Sequence, residues 1–214
     1  MAPCAAEQGG LRDVIMSFLF SELRQVATDL HHSGIPWCLV GGLGASVYVE
    51  PRTTKDIDIV VSLANQEETD GVKDFLLSKG YQNPQLLMHA SPTRRMGWRL
   101  FIPPSREASI PLDILVAACG IEREIVASAI TIEVLPGLTL PVASLGHLIA
   151  MKVLSQNKFE RLQDRVDLIA LLVKATEQDR LVVERSLREI SSLGFSGSRD
   201  LFVELREIET ATKG

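Results

Sequence analysis

Two aspartates separated by a single residue, Asp56 and Asp58, are the strongest chemical signal in this sequence. They open a run of β-branched residues that ends at Val61 and is typical of a strand. Side chains at positions i and i+2 of a strand point to one face, so both carboxylates would project together. Two anions this close repel each other unless a cation lies between them, and magnesium prefers such oxygen ligands. The alternative is an edge strand whose solvent-facing side is acidic.

A third carboxylate, Asp113, interrupts the apolar segment from Ile110 to Val116, which also predicts a strand. An isolated buried charge is very costly, so this carboxylate needs a partner. A neighbouring strand that carries Asp56 and Asp58, with a metal shared by all three, would supply one. The alternative is that Asp113 lies on a solvated face of the sheet.

A glycine turn lies upstream of the acidic pair, where Gly41 and Gly42 follow the short apolar strand 37–40. Glycine lets the backbone approach a phosphate closely, and the N–H groups at the start of a following helix attract the anion. Arg52 and Thr54 stand just before the acidic strand, where they can contact the same polyphosphate. These four residues are candidates for binding a nucleotide.

Two other nucleotide-binding patterns are disfavoured. A dinucleotide-binding turn needs G-x-G-x-x-G, but Val47 occupies the place of the third glycine after Gly42 and Gly44. The acidic pair also arrives too early in the chain for that pattern. A P-loop is excluded because the turn lacks G-K-[ST].

The glycine turn, the D-x-D pair and the later Asp113 together resemble the DNA-polymerase-β-type nucleotidyltransferase superfamily. The small AbiEii/AbiGii toxin-like proteins are the most similar branch. The resemblance implies that Asp56 and Asp58 hold two magnesium ions, that Asp113 completes the metal site, and that the substrate is a nucleoside triphosphate. It also implies an α/β (α+β) nucleotidyltransferase fold, with a mixed sheet flanked by helices and a helical C-terminal region.

The phosphate turn departs from the pattern of many members, in which serine follows the glycine. Leu43 stands there instead, and Ser46, Thr53 and Thr54 are the available substitutes for the missing hydroxyl.

A second group of residues lies in the helical tail. Lys152 falls on the apolar stripe of its predicted helix, where a lysine is unusual. The alternatives are that its amine reaches the rim of the stripe or that it meets a phosphate in the cleft. By resemblance, Lys152 would act with Arg161, Asp164 and Asp167. The two aspartates can also be ordinary acidic residues in the first turn of a helix.

A basic and aromatic cluster gathers Arg94, Arg95, Trp98 and Arg99. It suits contacts to an RNA acceptor through phosphates and base stacking. The alternative is a solvated hairpin tip.

The order of predicted elements gives a core with an N-terminal helix over residues 1–142 and a helical region over residues 143–214. Strands are predicted at 37–40, 56–61, 86–89, 98–102, 110–116, 130–134 and 138–142. Helices are predicted at 11–32, 45–49, 65–79, 121–128, 144–156, 161–174, 178–191 and 199–210.

Composition limits the functional classes. The net charge of −5 argues against a protein that coats nucleic acid, and no sequence-specific binding of duplex DNA is expected. Three isolated cysteines indicate a reducing compartment and make a zinc site unexpected. Because no apolar run approaches about 18 residues, no membrane span is expected, and we expect a cytoplasmic protein.

The sequence therefore predicts a magnesium-dependent enzyme that moves a nucleoside monophosphate from an NTP to a hydroxyl. The acceptor can be the 3′ end of a tRNA, a protein or a small molecule. By resemblance alone, the chain would be the toxin of a toxin–antitoxin pair, with an antitoxin as partner. The alternative is a catalytically inactive nucleotide-binding or protein-interaction module of the same fold.

Overall fold

A computed structural model describes residues 5–52, 54–89, 95–103, 109–156 and 162–211. Eight helices lie in these ranges: α1 Ala5–Ser33, α2 Gly41–Ala45, α3 Gln66–Ser78, α4 Glu122–Ala127, α5 Leu145–Ser155, α6 Leu162–Lys174, α7 Glu177–Ser192 and α8 Leu201–Ala211. The described strands are β1 Trp37–Leu39, β2 Ile57–Val61, β3 Gln82–Met88, β4 Arg95–Phe101, β5 Pro111–Leu115, β6 Ile130–Leu135 and β7 Leu138–Val142.

The seven strands form one mixed sheet in the order β3-β4-β5-β2-β1-β7-β6. β2 and β5 are parallel, as are β1 and β7, and the other pairs are antiparallel. Helices cover both faces of this sheet, so the predicted α/β class is confirmed.

Side-chain alternation along the central strands creates two cores. Ile57, Ile59 and Val61 of β2 join α1 and α3 on one face. Val60 lies on the other face with apolar residues of α4 to α8. Asp58 shares the face of Val60, since it lies two residues away on the same strand. The helical tail therefore covers the sheet face that carries the D-x-D aspartate. The division of the chain at residues 142 and 143 stays a prediction.

The parallel pairing of β2 with β5 aligns Asp58 directly with Asp113. Directly paired residues of neighbouring strands present their side chains to the same face, about 5 Å apart. The expectation that a neighbouring strand would bring the third carboxylate to the D-x-D pair is therefore met.

Several predicted boundaries differ from the structure: β3 begins at Gln82 and not at residue 86, and β4 begins at Arg95 and not at residue 98. Two further differences lie at the candidate site. The short helix predicted for residues 45–49 begins four residues earlier, at Gly41, because Gly44 N–H already donates to the carbonyl of Val40 at 2.9 Å. The strand predicted to start at Asp56 starts at Ile57, so Asp56 lies in the approach to the strand.

None of the helices in the described part of the chain combines the length and the apolar character that crossing a bilayer requires.

Candidate active site

A cleft of about 1190 Å³ lies over the sheet face that carries Asp58 and Asp113. The lining residues come from the glycine helix α2, the approach to β2, the strands β2 to β5, the segment after β5, the helices α5 and α6, and the segment between α7 and α8. Strand alternation accounts for the polar floor, because β2 and β5 each place an aspartate at the same register on this face.

Asp56, Asp58 and Asp113 bring carboxylate oxygens within 4.8 Å of one another. Thr54 donates a hydrogen bond from its hydroxyl to Asp56 Oδ1 at 3.0 Å, which orients that carboxylate. Asp113 is buried, with 7% of its surface exposed. The three predicted metal ligands therefore form one cluster.

The electrostatics of the cluster centre on Asp58. Burial, and after it the negative charges of Asp56 and Asp113, raises the pKa of its carboxyl to about 7, while the positive charges of Lys152 and Arg99 act in the opposite direction. The raised pKa means that ionising this carboxyl beside two others is unfavourable. A bound divalent cation would offset the repulsion among the three carboxylates and favour the ionised form. Three carboxylates with no nitrogen or sulfur ligand among them are the donor set that Mg²⁺ prefers. The residues present therefore fit a magnesium site.

Gly41 is required by the position of Asp58. Its φ is +63°, and a Cβ at this position would lie 1.9 Å from Asp58 Oδ2. A Cβ on Gly42 would lie 3.0 Å from Thr54 Oγ1 and 3.1 Å from a guanidinium nitrogen of Arg52. The glycine turn thus packs against the predicted nucleotide-binding side chains and against the D-x-D pair itself.

The candidates for the missing serine hydroxyl differ in what they contact. Ser46 donates to the carbonyl of Gly42 at 2.9 Å, which turns its hydroxyl back onto α2. Thr54 faces both Gly42 and Asp56, and it is the better placed of these two. Thr53 lies outside the described residues.

Arg99 is a site residue that sequence reasoning misassigned. It binds Asp113 with both arms of its guanidinium, through Nε to Oδ1 at 2.6 Å and NH2 to Oδ2 at 2.7 Å. The two residues are directly paired across β4 and β5. Arg99 therefore supplies the positive charge beside the third carboxylate.

The basic and aromatic cluster is consequently divided between the two faces of the sheet. Lys73 of α3 lies 4.9 Å above the ring of Trp98, on the face opposite Arg99. Arg95 approaches Asp70 of α3 at 3.7 Å. Trp98 and Arg99 therefore do not share one surface for RNA, because successive strand residues point to opposite faces. Arg94 lies outside the described residues.

Replacing Arg99 by Gln is expected to destabilise the metal-free protein by about 1–3 kcal/mol, because Asp113 loses a charged partner beside two other carboxylates. Adding Mg²⁺ should recover much of this loss, since the ion supplies the missing positive charge. Thermal unfolding with and without Mg²⁺ measures both effects. Arg95→Gln, which removes an exposed pair on the same strand, is the matched control. An equal loss under both conditions would contradict the assignment.

The predicted tail residues form an ion-pair network at the wall of the cleft. Lys152 donates to Asp164 Oδ1 at 2.6 Å and to Asp167 Oδ2 at 2.9 Å, and it is 7% exposed. Arg52 binds both oxygens of Asp167 at 2.6 Å. The network joins four of the predicted residues, from the approach to β2 and from α5 and α6. Arg161 lies outside the described residues.

Asp167 anchors this network. Burial alone would raise the pKa of its carboxyl, but the hydrogen bonds from Arg52 and Lys152 outweigh burial and hold it below the ordinary value. The carboxylate therefore stays ionised and fixes both cations beside the glycine turn. The amine of Lys152 is buried and donates to two carboxylates, so it does not extend to the solvent at the rim of its helix.

Asp167→Asn should destabilise the protein by about 3–5 kcal/mol at neutral pH, because two cations lose a buried counter-charge. A carboxyl whose folded pKa is depressed stabilises above its unfolded pKa of about 3.9, and this stability is lost as pH falls through the folded value. The difference from wild type should therefore narrow below about pH 4.

Urea unfolding at pH 7 and pH 3.5 measures this difference. Asp70→Asn, in the exposed pair with Arg95, should cost less than about 1 kcal/mol at either pH. A loss from Asp167→Asn that does not change with pH would argue against the ionised network.

The segment between α7 and α8 contributes wall residues that the sequence did not indicate. Phe195 lies 5.4 Å from the ring of His89, edge to face, and both line the cleft. Arg199 donates to the carbonyls of Val153 and Leu154 at the end of α5 and also binds Glu204. This arginine therefore ties the segment to the helix that carries Lys152.

No protein-family model matches the chain, and no curated protein matches it. Among solved structures, the antibiotic-resistance factor ANT(2″)-Ia superposes with a TM-score of 0.55 at 12% identity. The match covers 83% of this chain and 95% of that one. The chain has the nucleotidyltransferase fold. At this identity the likeness shows the fold alone.

Two further structures superpose less well. An antigenic nucleotidyltransferase-like protein from Paracoccidioides brasiliensis gives a TM-score of 0.49 at 14% identity, over 87% of this chain and 91% of that one. The lincosamide antibiotic adenylyltransferase LnuA, bound to lincomycin, gives 0.39 at 18% identity, over 79% and 96%. The AbiEii/AbiGii branch of the nucleotidyltransferase superfamily is not confirmed by these structures.

Proposed function

We propose that the chain is a magnesium-dependent nucleotidyltransferase that moves a nucleoside monophosphate from an NTP to a hydroxyl and releases pyrophosphate. The observation that carries the proposal is the cluster of Asp56, Asp58 and Asp113 in a cleft beside a glycine turn. The fold shared with ANT(2″)-Ia supports it at the level of architecture. An inactive module of the same fold would have no need to hold three carboxylates together against their repulsion.

Each residue has a proposed role. Asp56, Asp58 and Asp113 would hold two magnesium ions, which when bound neutralise the triphosphate and lower the pKa of the acceptor hydroxyl. Gly41 and Gly42 let the phosphates approach the backbone. Arg52, Thr54 and Lys152 form the polar wall beside that turn. Asp164 and Asp167 hold Arg52 and Lys152 in place.

The reaction is an in-line displacement at the α-phosphorus. The acceptor oxygen forms a bond to this phosphorus, and the bond to the oxygen that bridges to the β-phosphate breaks. Pyrophosphate leaves with that bridging oxygen, and Asp113 takes up the proton of the attacking hydroxyl before water removes it. The chain contributes mainly by positioning and by electrostatic stabilisation.

A small molecule is the acceptor that we propose. The fold neighbour is described as an antibiotic-resistance factor, which favours a small acceptor over the 3′ end of a tRNA or a protein. The toxin role and an antitoxin partner rest on motif resemblance alone and stay predictions.

Pyrophosphate release with Mg²⁺ and each of the four NTPs, over a panel of hydroxyl compounds, tests the function. The expected result is turnover that needs one NTP and disappears in the Asp56→Asn/Asp58→Asn double variant. Calorimetric titration of Mg²⁺·NTP into wild type covers the case in which the panel lacks the true acceptor. Absence of any NTP binding would overturn the proposed function.

A further inference from the structure

The two sides of the cleft differ in polarity, and the order of the strands determines which residues lie on each side. Asp58 lies on β2, with β1 and the glycine helix on one side and β5, β4 and β3 on the other. The wall beside the glycine helix carries Arg52, Thr54 and Lys152. On the β5 side, beyond Asp113, the lining contains Arg99 and His89 and a larger group of apolar residues: Leu87, Met88, Met96, Leu115 and Phe195. The three carboxylates therefore divide the cleft into two halves, one beside the glycine helix and one over strands β3 to β5.

The floor of the second half is an apolar notch. Leu87 is paired with Gly97, and Gly97 is paired with Leu115, so the three residues form a row across β3, β4 and β5. A Cβ on Gly97 would lie 1.8 Å from the carbonyl oxygen of Ile114, which excludes any side chain at the centre of the row. Leu87 and Leu115 therefore flank a position that carries no side chain.

Phe195 lines the same half of the cleft, beside His89. His89 donates from Nε2 to the carbonyl of Ala117 at 2.8 Å, which fixes the imidazole that the Phe195 ring packs against. A Cβ on Gly120 would lie 2.5 Å from that phenyl ring. The aromatic wall is thus held in place from two sides.

The described cations near this half are already paired. Arg99 is bound to Asp113, Arg95 approaches Asp70, and Arg199 is bound to Glu204. Arg52 and Lys152 on the opposite wall are also paired, so pairing alone does not decide which ligand binds. The apolar residues of this half decide it, because phosphate or ammonium groups lose hydration against them, and they suit an uncharged molecule.

We propose that the β3–β5 half of the cleft binds the acceptor, and that this acceptor is a small, uncharged hydroxyl compound that carries an apolar ring. This inference rests on the proposed function, because the bound compound is an acceptor only if the chain is a nucleotidyltransferase. A ligand pocket occupies roughly 300–1,000 Å³, so a cleft of about 1190 Å³ has room for a nucleotide and one compound of modest size. A hydroxyl next to the ring faces Asp113, at the border of the two halves.

Saturation-transfer NMR with phenyl β-D-glucopyranoside and methyl β-D-glucopyranoside tests the site, because the two probes differ only in the ring. Wild type is expected to bind the phenyl glycoside about tenfold more tightly, as burying an aromatic ring predicts. Phe195→Ala should reduce the preference to near parity. Met88→Gln, at an exposed position, should weaken it without a folding defect. Phe75→Ala, a half-buried phenylalanine on α3, is the matched control and should retain the preference.

Equal binding of the two glycosides by wild type would overturn the inference. Tighter binding of a polycationic aminoglycoside or of a CCA-ended RNA stem than of the phenyl glycoside would also overturn it. Titration of Mg²⁺·ATP, GTP, CTP and UTP into the same samples separates this failure from that of the proposed function. If an NTP binds wild type and not Asp58→Asn while the ring preference is absent, only the acceptor inference is wrong.

Discussion

Asp58→Asn is expected to lower pyrophosphate release by about a thousandfold and, at the same time, to stabilise the metal-free protein at pH 8. The loss of activity follows because the central metal ligand becomes a neutral amide. The gain in stability follows because the folded state no longer buries an ionised Asp58, which also lies within 4.8 Å of two other carboxylates. The two effects have opposite signs, which an ordinary structural aspartate would not show.

The stability effect has a defined pH window. Burial raises the pKa of Asp58 from 3.8 to about 7, so the folded state keeps a proton that the unfolded state has lost. Stability of wild type therefore falls as pH rises from about 4 to about 7, and the cost is complete above pH 7. The shift corresponds to a few kcal/mol at about 1.4 kcal/mol per unit of pKa. Asn removes this cost, so the variant gains most above pH 7 and little at pH 4.

Thermal unfolding of wild type and Asp58→Asn at pH 4.5 and pH 8, without metal, measures how their difference in stability changes with pH. A gain of a few kcal/mol corresponds to a rise of roughly 5–10 °C for a chain of this size. Added Mg²⁺ should raise the unfolding temperature of wild type and leave Asp58→Asn unchanged. Asp74→Asn, on the exposed side of α3, should change neither activity nor stability. If Asp58→Asn were less stable than wild type at pH 8, the repulsion would not be the dominant property of the site.

Gly41→Ala is the second large effect and should abolish activity even if the protein folds. Its φ of +63° costs an alanine about 1–2 kcal/mol. The larger cause is that the new Cβ would stand 1.9 Å from Asp58 Oδ2, so either the carboxylate or the glycine turn must move. Displacement of the central ligand by about 1 Å is enough to lose activity about a hundredfold or more.

Gly137→Ala is the control that separates the cost of backbone strain from the effect of the contact between the new Cβ and Asp58. Gly137 has a φ of +70°, and nothing lies within 4 Å of the position that its Cβ would take. This control should show a similar strain cost with full activity. Circular dichroism and pyrophosphate release on both variants provide the comparison. Activity in Gly41→Ala equal to that of Gly137→Ala would show that Asp58 does not need its observed position.

The cluster of three carboxylates was predictable because its signals are local in the sequence or follow from the cost of burying a charge. Asp56 and Asp58 share a face by strand alternation, and Asp113 needed a partner because its strand is apolar on both sides. The register that aligns Asp58 with Asp113 came from tertiary structure, and the fold class came from the resemblance of the motifs. No local pattern states which strands are neighbours.

Arg99 was misassigned because the cluster was taken as one surface, although the predicted strand 98–102 already places Trp98 and Arg99 on opposite faces. The pairing of Arg99 with Asp113 follows from the β4–β5 register, which no local pattern gives. The position of Phe195 had no signal at all, since the segment between α7 and α8 meets the cleft only through tertiary packing. Asp167 resembled an ordinary acidic residue of a first turn because its partner Arg52 lies 115 residues away.

The pairing of Asp58 with Asp113 fixes one part of the cleft, whereas the apolar half can vary by substitution. The distance between those carboxylates is set by the spacing of two hydrogen-bonded strands, about 4.8 Å, which substitutions in loops do not alter. The apolar half depends on an edge strand and on a segment between two helices, and both can be altered without breaking that pairing. If the proposed function holds, engineering for a new acceptor should therefore begin at Met88 and Phe195, because the aspartates proposed to perform the transfer are fixed by the sheet.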